Sequence, residues 1–194
     1  MNVVMGFGDT ISNHPAKRQK DCERLIFGSP PSYKYAEVVS FTNCNNSGHY
    51  ALAIGLNPAL LNLHRFDSTN RKIAECFKRK GYSGYILLNL YSAITKDVTG
   101  LCTHIKSDPM DTLNNMQNKV LDLLMLFEGD IYLFWGPNAK EKRLITNPHI
   151  LCYIEQTLGI KKYYYSADGQ SKFVHPGCKA FHSFQKLKTI QDIL

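Results

Sequence analysis

Four segments of the chain place hydrogen-bonding side chains directly after runs of apolar residues. A side-chain amide is both a donor and an acceptor, and an imidazole can donate, accept or carry a proton near neutral pH. If these groups meet, they are suited to recognising a polar ligand and to moving a proton. The segments are Asn57-Pro58, Asn89, Gly136-Pro137-Asn138 and the stretch from Ser166 to His175-Pro176.

The apolar runs before these segments are typical of strands buried on both faces, and amphipathic stretches separate them. This alternation predicts an α/β protein, a three-layer α/β/α sandwich around a central, mainly parallel four-stranded sheet. Such sheets bind ligands beyond the carboxyl ends of their strands, where the four segments lie. The predicted strands are residues 50–56, 84–94, 130–136 and 161–168, and the predicted helices are residues 68–81, 108–129, 138–146, 147–159 and 181–194.

The length of 194 residues suits a single domain, 1–194. Gly, Pro and Asn residues interrupt any regular pattern in residues 1–48. We therefore predict an irregular N-terminal extension there with one edge strand near residues 34–43. The regular alternation of strands and helices begins at Tyr50 and defines a core over residues 50–180.

The charge of the chain favours a polyanionic partner. Lys and Arg total 23 against 16 Asp and Glu, which gives a net charge of +7 at pH 7. Clustered cations gain free energy by displacing counterions from phosphates. A basic surface that is simply solvated is the alternative explanation.

No stretch approaches the roughly 20 apolar residues of a membrane span, and the N-terminus lacks the pattern of a signal peptide. We therefore predict a cytoplasmic protein that does not bind membranes. The six cysteines form no C-x-x-C pair. Their spacing favours scattered thiols over a disulfide framework or a metal site.

Four sequences, in order, resemble motifs of the uracil-DNA glycosylase superfamily and of its mismatch-specific branch in particular. They are IGLNP at residues 54–58, ILLNLYSAIT at 86–95, IYLFWGPNAKEK at 131–142 and HPG at 175–177. Asn70-Arg71 is similar to the pair that opens the next helix in that branch. The resemblance covers residues 50–180 and implies a glycosylase-like core.

A closer resemblance is to an uncharacterised family of bacterial and phage proteins. The signature of that family is a strand ending in Leu-Asn-Pro-Ser-Thr, then Asp-x-Thr-x-Arg, Val-Asn-Leu, Trp-Gly and a late His-Pro. The corresponding residues here are Leu56-Asn57-Pro58, Asp67 to Arg71, Leu88-Asn89-Leu90, Trp135-Gly136 and His175-Pro176.

The resemblance implies hydrolysis of an N-glycosidic bond, or binding of a nucleobase, in DNA or in a nucleotide. The amide of Asn89 can match a pyrimidine edge with one donor and one acceptor. Asn57 is expected to orient a water molecule, since an amide does not accept a proton near neutrality. His175 is expected to donate a hydrogen bond to a base oxygen or a phosphate.

Asp67 is the carboxylate closest in sequence to the Asn57 loop, so it is the candidate general base; its alternative role is to cap the helix at 68–80. Arg71 lies in the first turn of that helix, where the dipole disfavours a cation. This indicates an anionic ligand or an ion pair with Asp67. The predicted catalytic residues are Asn57, Asp67 and His175, and the predicted substrate-binding residues are Gly55, Pro58, Asn70, Arg71, Asn89, Trp135, Gly136 and Pro176.

Two other functions remain open. A nucleotide- or nucleic-acid-binding module without catalysis is favoured by Asn57, because the strongest members of the superfamily have aspartate there, and by Gly177, because their motif has serine. A metal-dependent hydrolase built on Asp67 with His64 or His175 has no ligand spacing to support it. No cofactor is predicted, and the expected partner is a nucleic acid or a nucleotide.

Overall fold

One eight-stranded sheet organises the described part of the chain. The structure is a computed structural model that describes residues 14–15, 22–29, 33–42, 48–58, 66–108, 127–136, 148–167, 173–176 and 183–193. Its strands are β1 (His14–Pro15), β2 (Cys22–Ser29), β3 (Tyr33–Phe41), β4 (Tyr50–Gly55), β5 (Gly84–Asn89), β6 (Ile131–Leu133), β7 (Tyr163–Ser166) and β8 (Phe184–Lys186). They lie in the order β1-β2-β3-β5-β4-β6-β7-β8.

The sheet combines a parallel centre with antiparallel margins. β5, β4, β6 and β7 are parallel neighbours. Antiparallel strands flank them, with β3, β2 and β1 on one side and β8 on the other. The predicted α/β class is confirmed, but the prediction of a mainly parallel sheet of four strands is wrong, because antiparallel strands from both ends of the chain extend the sheet to eight.

The N-terminal region differs from the predicted irregular extension with one edge strand. β2 and β3 pair along their whole length, and β3 lies inside the sheet against β5. The position of these strands inside the sheet is difficult to recognise from the sequence because they contain charged residues. Arg24, Lys34 and Glu37 are all buried. Charged side chains are ordinarily exposed, so a pattern that contains them is easily mistaken for a surface segment.

The C-terminal segment also differs from the helix predicted at residues 181–194. β8 pairs antiparallel with β7, and a single 3-10 turn follows at Ile190–Asp192. The ring of Phe184 packs edge-on against Tyr132, with the ring centroids 5.2 Å apart. Strand pairing and this tertiary contact outweigh the helical spacing of the apolar residues.

Helices cover both faces of the sheet. Those of the described residues are α1 (Ser68–Arg79), α2 (Val98–Ser107) and α3 (Pro148–Thr157). α1 buries Ile73 and Phe77 in one apolar cluster, whereas Leu101 of α2 and Ile154 of α3 belong to the cluster on the opposite face. None of these helices is long and apolar enough to cross a membrane.

The predictions for α1 and α3 are confirmed, whereas α2 is an additional helix. Its signal in the sequence was Asp97, whose side chain caps the helix by accepting a hydrogen bond from Gly100 N at 2.8 Å. Most of the predicted helix at 108–129, and all of the one at 138–146, lie outside the described residues.

Gly84 allows three strands to come together at the start of β5. A Cβ at this position would overlap the carbonyl oxygen of Val39 in β3 and the ring of Tyr50 in β4. The close approach of the neighbouring strands therefore requires glycine.

Replacement of Gly84 by alanine is expected to destabilise the protein by about 1–3 kcal/mol, because a methyl group placed in filled space displaces its neighbours. Gly159→Ala is the matched control, since a Cβ at Gly159 meets no atom within 4 Å. Urea unfolding followed by circular dichroism measures both variants. Equal free energies of unfolding for Gly84→Ala and the wild type would contradict this description of the sheet.

Candidate functional site

The carboxyl ends of β4, β5 and β6 lie side by side, and backbone hydrogen bonds hold the loops that leave them. Leu90 N donates to Gly55 O at 3.0 Å and joins the end of β5 to that of β4. Phe134 N donates to Ile54 O at 2.7 Å and joins β6 to β4. The side chains that follow these strands therefore emerge at one edge of the sheet.

A cavity of about 190 Å³ opens at this edge. Segments that are far apart in the sequence meet around it, and Arg71 is the one predicted site residue that does not line it. The functional roles of the lining residues remain predictions. The predicted residues that line the cavity are Gly55, Asn57, Pro58, Asp67, Asn70, Asn89, Trp135, Gly136, His175 and Pro176.

Arg71 lies outside the cavity lining, and its role in binding an anionic ligand stays a prediction. The residue is exposed and does not line the cavity. Within the described residues the ion pairs are those of Glu37 with Arg24 and Lys34, so no ion pair joins Arg71 to Asp67. α1 turns its buried face, which carries Asn70, toward the sheet, and the next residue along the helix falls on the solvent side.

Asn57 is fixed by hydrogen bonds from its amide nitrogen. Nδ2 donates to Thr95 Oγ1 at 2.8 Å and to the Pro58 carbonyl oxygen at 3.2 Å. Both amide protons are thereby used, so Oδ1 is the atom with which Asn57 can accept a hydrogen bond from a water molecule or a ligand.

Gly55 and Asn89 are neighbours across the parallel pairing of β4 and β5. The Asn89 side chain is buried and lies against the Gly55 backbone. A Cβ on Gly55 would come within 2.7 Å of Asn89 Oδ1. The glycine of the Gly-Leu-Asn-Pro sequence thus makes room for the amide at the end of the adjacent strand.

Asp67 and Asn70 are positioned by the start of α1. The Asp67 side chain caps the helix, with Oδ1 accepting from Asn70 N at 2.7 Å. The Asn70 side chain donates from Nδ2 to both carboxylate oxygens of Glu37, at 3.1 and 3.3 Å. Asp67 therefore caps α1, as one of its two predicted roles requires, and within the described residues no hydrogen bond reaches its second carboxylate oxygen.

Trp135 and Gly136 line the cavity after β6. The Trp135 indole is buried and stacks on Phe173, with ring centroids 5.1 Å apart. Gly136 has a φ of +81°, a conformation that favours glycine. Phe173 also has a positive φ, 59°, which is strained for a bulky residue. Its ring is held between Trp135 and Tyr165, and this packing positions the loop that leads to His175.

His175 keeps contact with solvent while lining the cavity. Desolvation by the surrounding protein lowers the pKa of its imidazole; the Asp67 carboxylate opposes this shift, and Lys72 reinforces it. The imidazole is therefore neutral at pH 7 and has one N–H donor and one acceptor nitrogen.

A buried charged cluster behind the cavity was not predicted from the sequence. Its centre is the Glu37 carboxylate, which has no exposed surface. Arg24 Nε donates to Glu37 Oε1, and Lys34 Nζ donates to Glu37 Oε2 at 2.8 Å. Lys34 and Asn70 line the cavity, so Glu37 holds two lining side chains from behind. The only sequence signal was the presence of charges in otherwise apolar strands.

The pKa of Glu37 reflects two opposing effects. Burial raises the pKa of this carboxyl group, but the charges of Lys34 and Arg24 and their hydrogen bonds lower it by more, so it lies below the usual value. Glu37 is therefore ionised at neutral pH, and its charge is compensated by the two cations.

Within the described residues, no group of three or more His, Cys, Asp or Glu side chains is arranged to hold a metal ion. His64, one of the two histidines considered for a metal-dependent hydrolase, lies outside the described residues.

The site residues fall within a region that matches a family model. The model, described as a protein of unknown function (DUF1643), matches residues 41–176, well over half of the chain. The chain belongs to the DUF1643 family. This confirms the predicted membership of an uncharacterised family. Comparisons with curated proteins and with solved structures gave no match.

The DUF1643 match begins at Phe41, the last residue of β3. Arg24, Lys34 and Glu37 therefore precede the matched region, although Lys34 lines the cavity. The wall of the site that these residues form is supplied by a part of the chain outside the family match.

Glu37→Gln is expected to cost about 3–5 kcal/mol of stability at neutral pH, because it leaves two buried cations without their partner. The Glu37 pKa is lowered on folding. The contribution of the ionised Glu37 carboxylate to stability is therefore complete above the usual glutamate pKa, about 4.3. It is lost as the pH falls through the lower pKa that Glu37 has in the folded protein. The stability difference between wild type and Glu37→Gln should accordingly shrink on acidification.

Urea unfolding across this pH range measures the difference. Glu75→Gln, which changes an exposed glutamate on α1, serves as the control and should show no comparable loss at neutral pH. A Glu37→Gln protein as stable as the wild type at neutral pH would show that the buried carboxylate does not hold the cluster together.

Proposed function

We propose that the cavity holds a nucleobase and that the protein is a glycosylase-like hydrolase that cleaves the N-glycosidic bond of a base in DNA or in a nucleotide. The observation that carries the proposal is the meeting of Asn57, Asp67, Asn89 and His175 around one cavity. A fold like that of the uracil-DNA glycosylases is part of the same proposal. The parallel order β5-β4-β6-β7 and the sequence resemblance support it.

The size and lining of the cavity suit one flat heterocycle. Its volume of about 190 Å³ is below the roughly 300–1,000 Å³ typical of sites for drug-sized ligands. Ile73, Leu87 and Phe134 provide apolar walls, while amide and charged side chains occupy other parts of the lining. A base has two apolar faces and a polar edge, which matches this division.

Asn89 is the residue best placed to recognise the polar edge. It is 3% exposed, so a ligand that reaches it is shielded from water. A buried polar group without a hydrogen-bond partner costs about 1–3 kcal/mol. A ligand that can form hydrogen bonds with the Asn89 amide is therefore preferred over one that cannot. The base is thus recognised outside the stack, as enzymes that act on bases require.

Hydrolysis uses three other residues of the cavity lining, Asn57, Asp67 and His175. Asn57 Oδ1 accepts a hydrogen bond from the attacking water, and the Asp67 carboxylate takes its proton as general base. His175, neutral at pH 7, donates its N–H to an oxygen of the ligand. Asp67 keeps its cap on α1 throughout, because Oδ1 accepts from Asn70 N and the other oxygen receives the proton.

A binding module without catalysis is the second candidate, and the hydrogen bonds of Asn57 favour it. Its amide nitrogen donates to Thr95 and to the Pro58 carbonyl, contacts that stabilise a turn whether or not water is activated. No carboxylate occupies position 57. In this case the same cavity binds a base or a nucleotide and releases it unchanged.

Lys78, Arg79 and Lys80 form a run of three cations that does not line the cavity. They are at the C-terminal end of α1, whereas Asp67 at the N-terminal end lines the cavity. Lys78 lies over the ring of Phe41 and Lys80 over that of Phe184. If DNA binds at the cavity, other cations contact its phosphates.

Binding of a free base is expected to change the fluorescence of Trp135, the only tryptophan in the chain, because this residue lines the cavity. Titration with uracil and other bases gives the dissociation constants. Asn89→Ala should weaken binding about ten-fold or more, since it removes hydrogen bonds in a buried site. Gln156→Ala, which removes an exposed amide on α3, is the control. Unchanged affinity of Asn89→Ala would exclude Asn89 from recognition.

Asp67→Asn separates catalysis from folding. Asparagine caps a helix about as well as aspartate, so the variant should melt like the wild type and still bind bases. It cannot act as a base near neutrality, so release of free base from DNA or nucleotides should fall by about 100-fold or more. Chromatography of released bases over a panel of uracil-containing, mismatched and modified substrates measures this. No release by the wild type from any substrate would leave binding as the function.

A further inference from the structure

Lys34 brings a buried positive charge to the wall of the cavity. The residue is 4% exposed and lines the cavity, and Lys34 N donates to Ser92 O at 2.8 Å, which anchors the start of β3. A lysine is almost never buried to this extent without a partner. The partner of Lys34 is Glu37, and the place of Lys34 in the cavity lining is a second feature to explain.

Glu37 fixes the ammonium group without using all of its donors. Lys34 Nζ donates to Glu37 Oε2 at 2.8 Å, and among the described residues this is its one acceptor. An ammonium group carries three N–H donors. Within the described part of the chain, two of these donors are therefore available to a ligand in the cavity.

The cluster behind the cavity has more positive than negative charge. Arg24 and Lys34 contribute two cations, and Glu37 contributes one carboxylate. Asn70 also donates to that carboxylate, which further satisfies it. The Asp67 carboxylate also lines the cavity, so the charges of the whole site balance and the positive charge is local to Lys34. In a buried site, where charges interact more strongly than in water, the Lys34 ammonium group attracts a negatively charged oxygen of a ligand.

We propose that Lys34 is a ligand-binding and catalytic residue, whose ammonium group donates a hydrogen bond to a negatively charged oxygen of the bound heterocycle. The inference rests on the proposed function and specifies its ligand as a base that carries negative charge on a carbonyl oxygen. The affinity for a neutral base without such an oxygen is not increased by Lys34.

In the proposed reaction, the water oxygen forms a bond to C1′ of the sugar while the bond between C1′ and the ring nitrogen breaks. The electron pair of that bond leaves with the base, and the water proton goes to Asp67. The resulting negative charge spreads to the carbonyl oxygen of the base, where the Lys34 ammonium group stabilises it. Solvent later protonates the released anion.

The alternative is that Lys34 only balances the charge of Glu37 and makes no contact with a ligand. Two bases of the same size separate the two cases. Uracil is neutral, and 6-azauracil is an anion, at a pH chosen between the pKa values of the two compounds. Isothermal titration calorimetry at that pH measures both affinities with the full chain.

The wild type is expected to bind the azauracil anion at least about ten-fold more tightly than uracil, because a hydrogen bond between two charged groups is much stronger than one to a neutral acceptor. Lys34→Met should reduce this ratio to about one, and Lys34→Arg should retain much of it. Lys106→Met is the matched control: Lys106 is an exposed lysine of α2 that does not line the cavity, so its removal should leave the ratio unchanged.

Equal affinities in the wild type, or an unchanged ratio in Lys34→Met, would overturn the role of Lys34 and leave base binding intact. No binding of either compound to the wild type would overturn the proposed function and this inference together. If Lys34→Met does not fold, ¹⁵N-lysine-labelled wild type is titrated with azauracil. The Lys34 side-chain signal is identified by its absence from the spectrum of Lys34→Arg. This signal must shift when azauracil binds, and an unchanged signal would overturn the inference.

Discussion

The Glu37 carboxylate is the group on which the cavity wall depends, since it has no contact with solvent. A buried carboxylate is stable only when cations and hydrogen-bond donors surround it. Arg24 of β2, Lys34 of β3 and Asn70 of α1 all donate to it. One acidic side chain thus joins two antiparallel strands to α1 and holds Lys34 and Asn70 of the cavity lining in place.

The other walls depend on close backbone contact between parallel strands. Asn89 fits at the end of β5 because Gly55, its neighbour in β4, has no side chain. At Gly136 the requirement for glycine is conformational, because its φ is +81°, whereas an added Cβ would make an ordinary contact of 3.5 Å with the His175 Cβ. The polar groups of the cavity are therefore held by an apolar, tightly paired scaffold, which is the condition for positioning hydrogen bonds accurately.

Site residues that directly follow a strand could be predicted from the sequence, because parallel strands bring their carboxyl ends together. Asn57 and Asn89 each follow an apolar run, and Asp67 precedes a stretch whose apolar residues have the spacing of a helix. Glu37 could not be predicted in the same way. A single charge in an alternating strand looks the same whether it faces water or a partner, and its partners Arg24 and Asn70 are 13 and 33 residues away.

The antiparallel strands before residue 41 have a second consequence. β3 covers one side of β5 through the backbone pairing from Ala36↔Leu88 to Ser40↔Gly84, yet the family match leaves out nearly all of β3. A fragment cut to residues 41–176 would expose a row of unpaired N–H and C=O groups along a mostly apolar strand. Such a row recruits strands from other molecules, so the leading strands also protect the chain against self-association and aggregation.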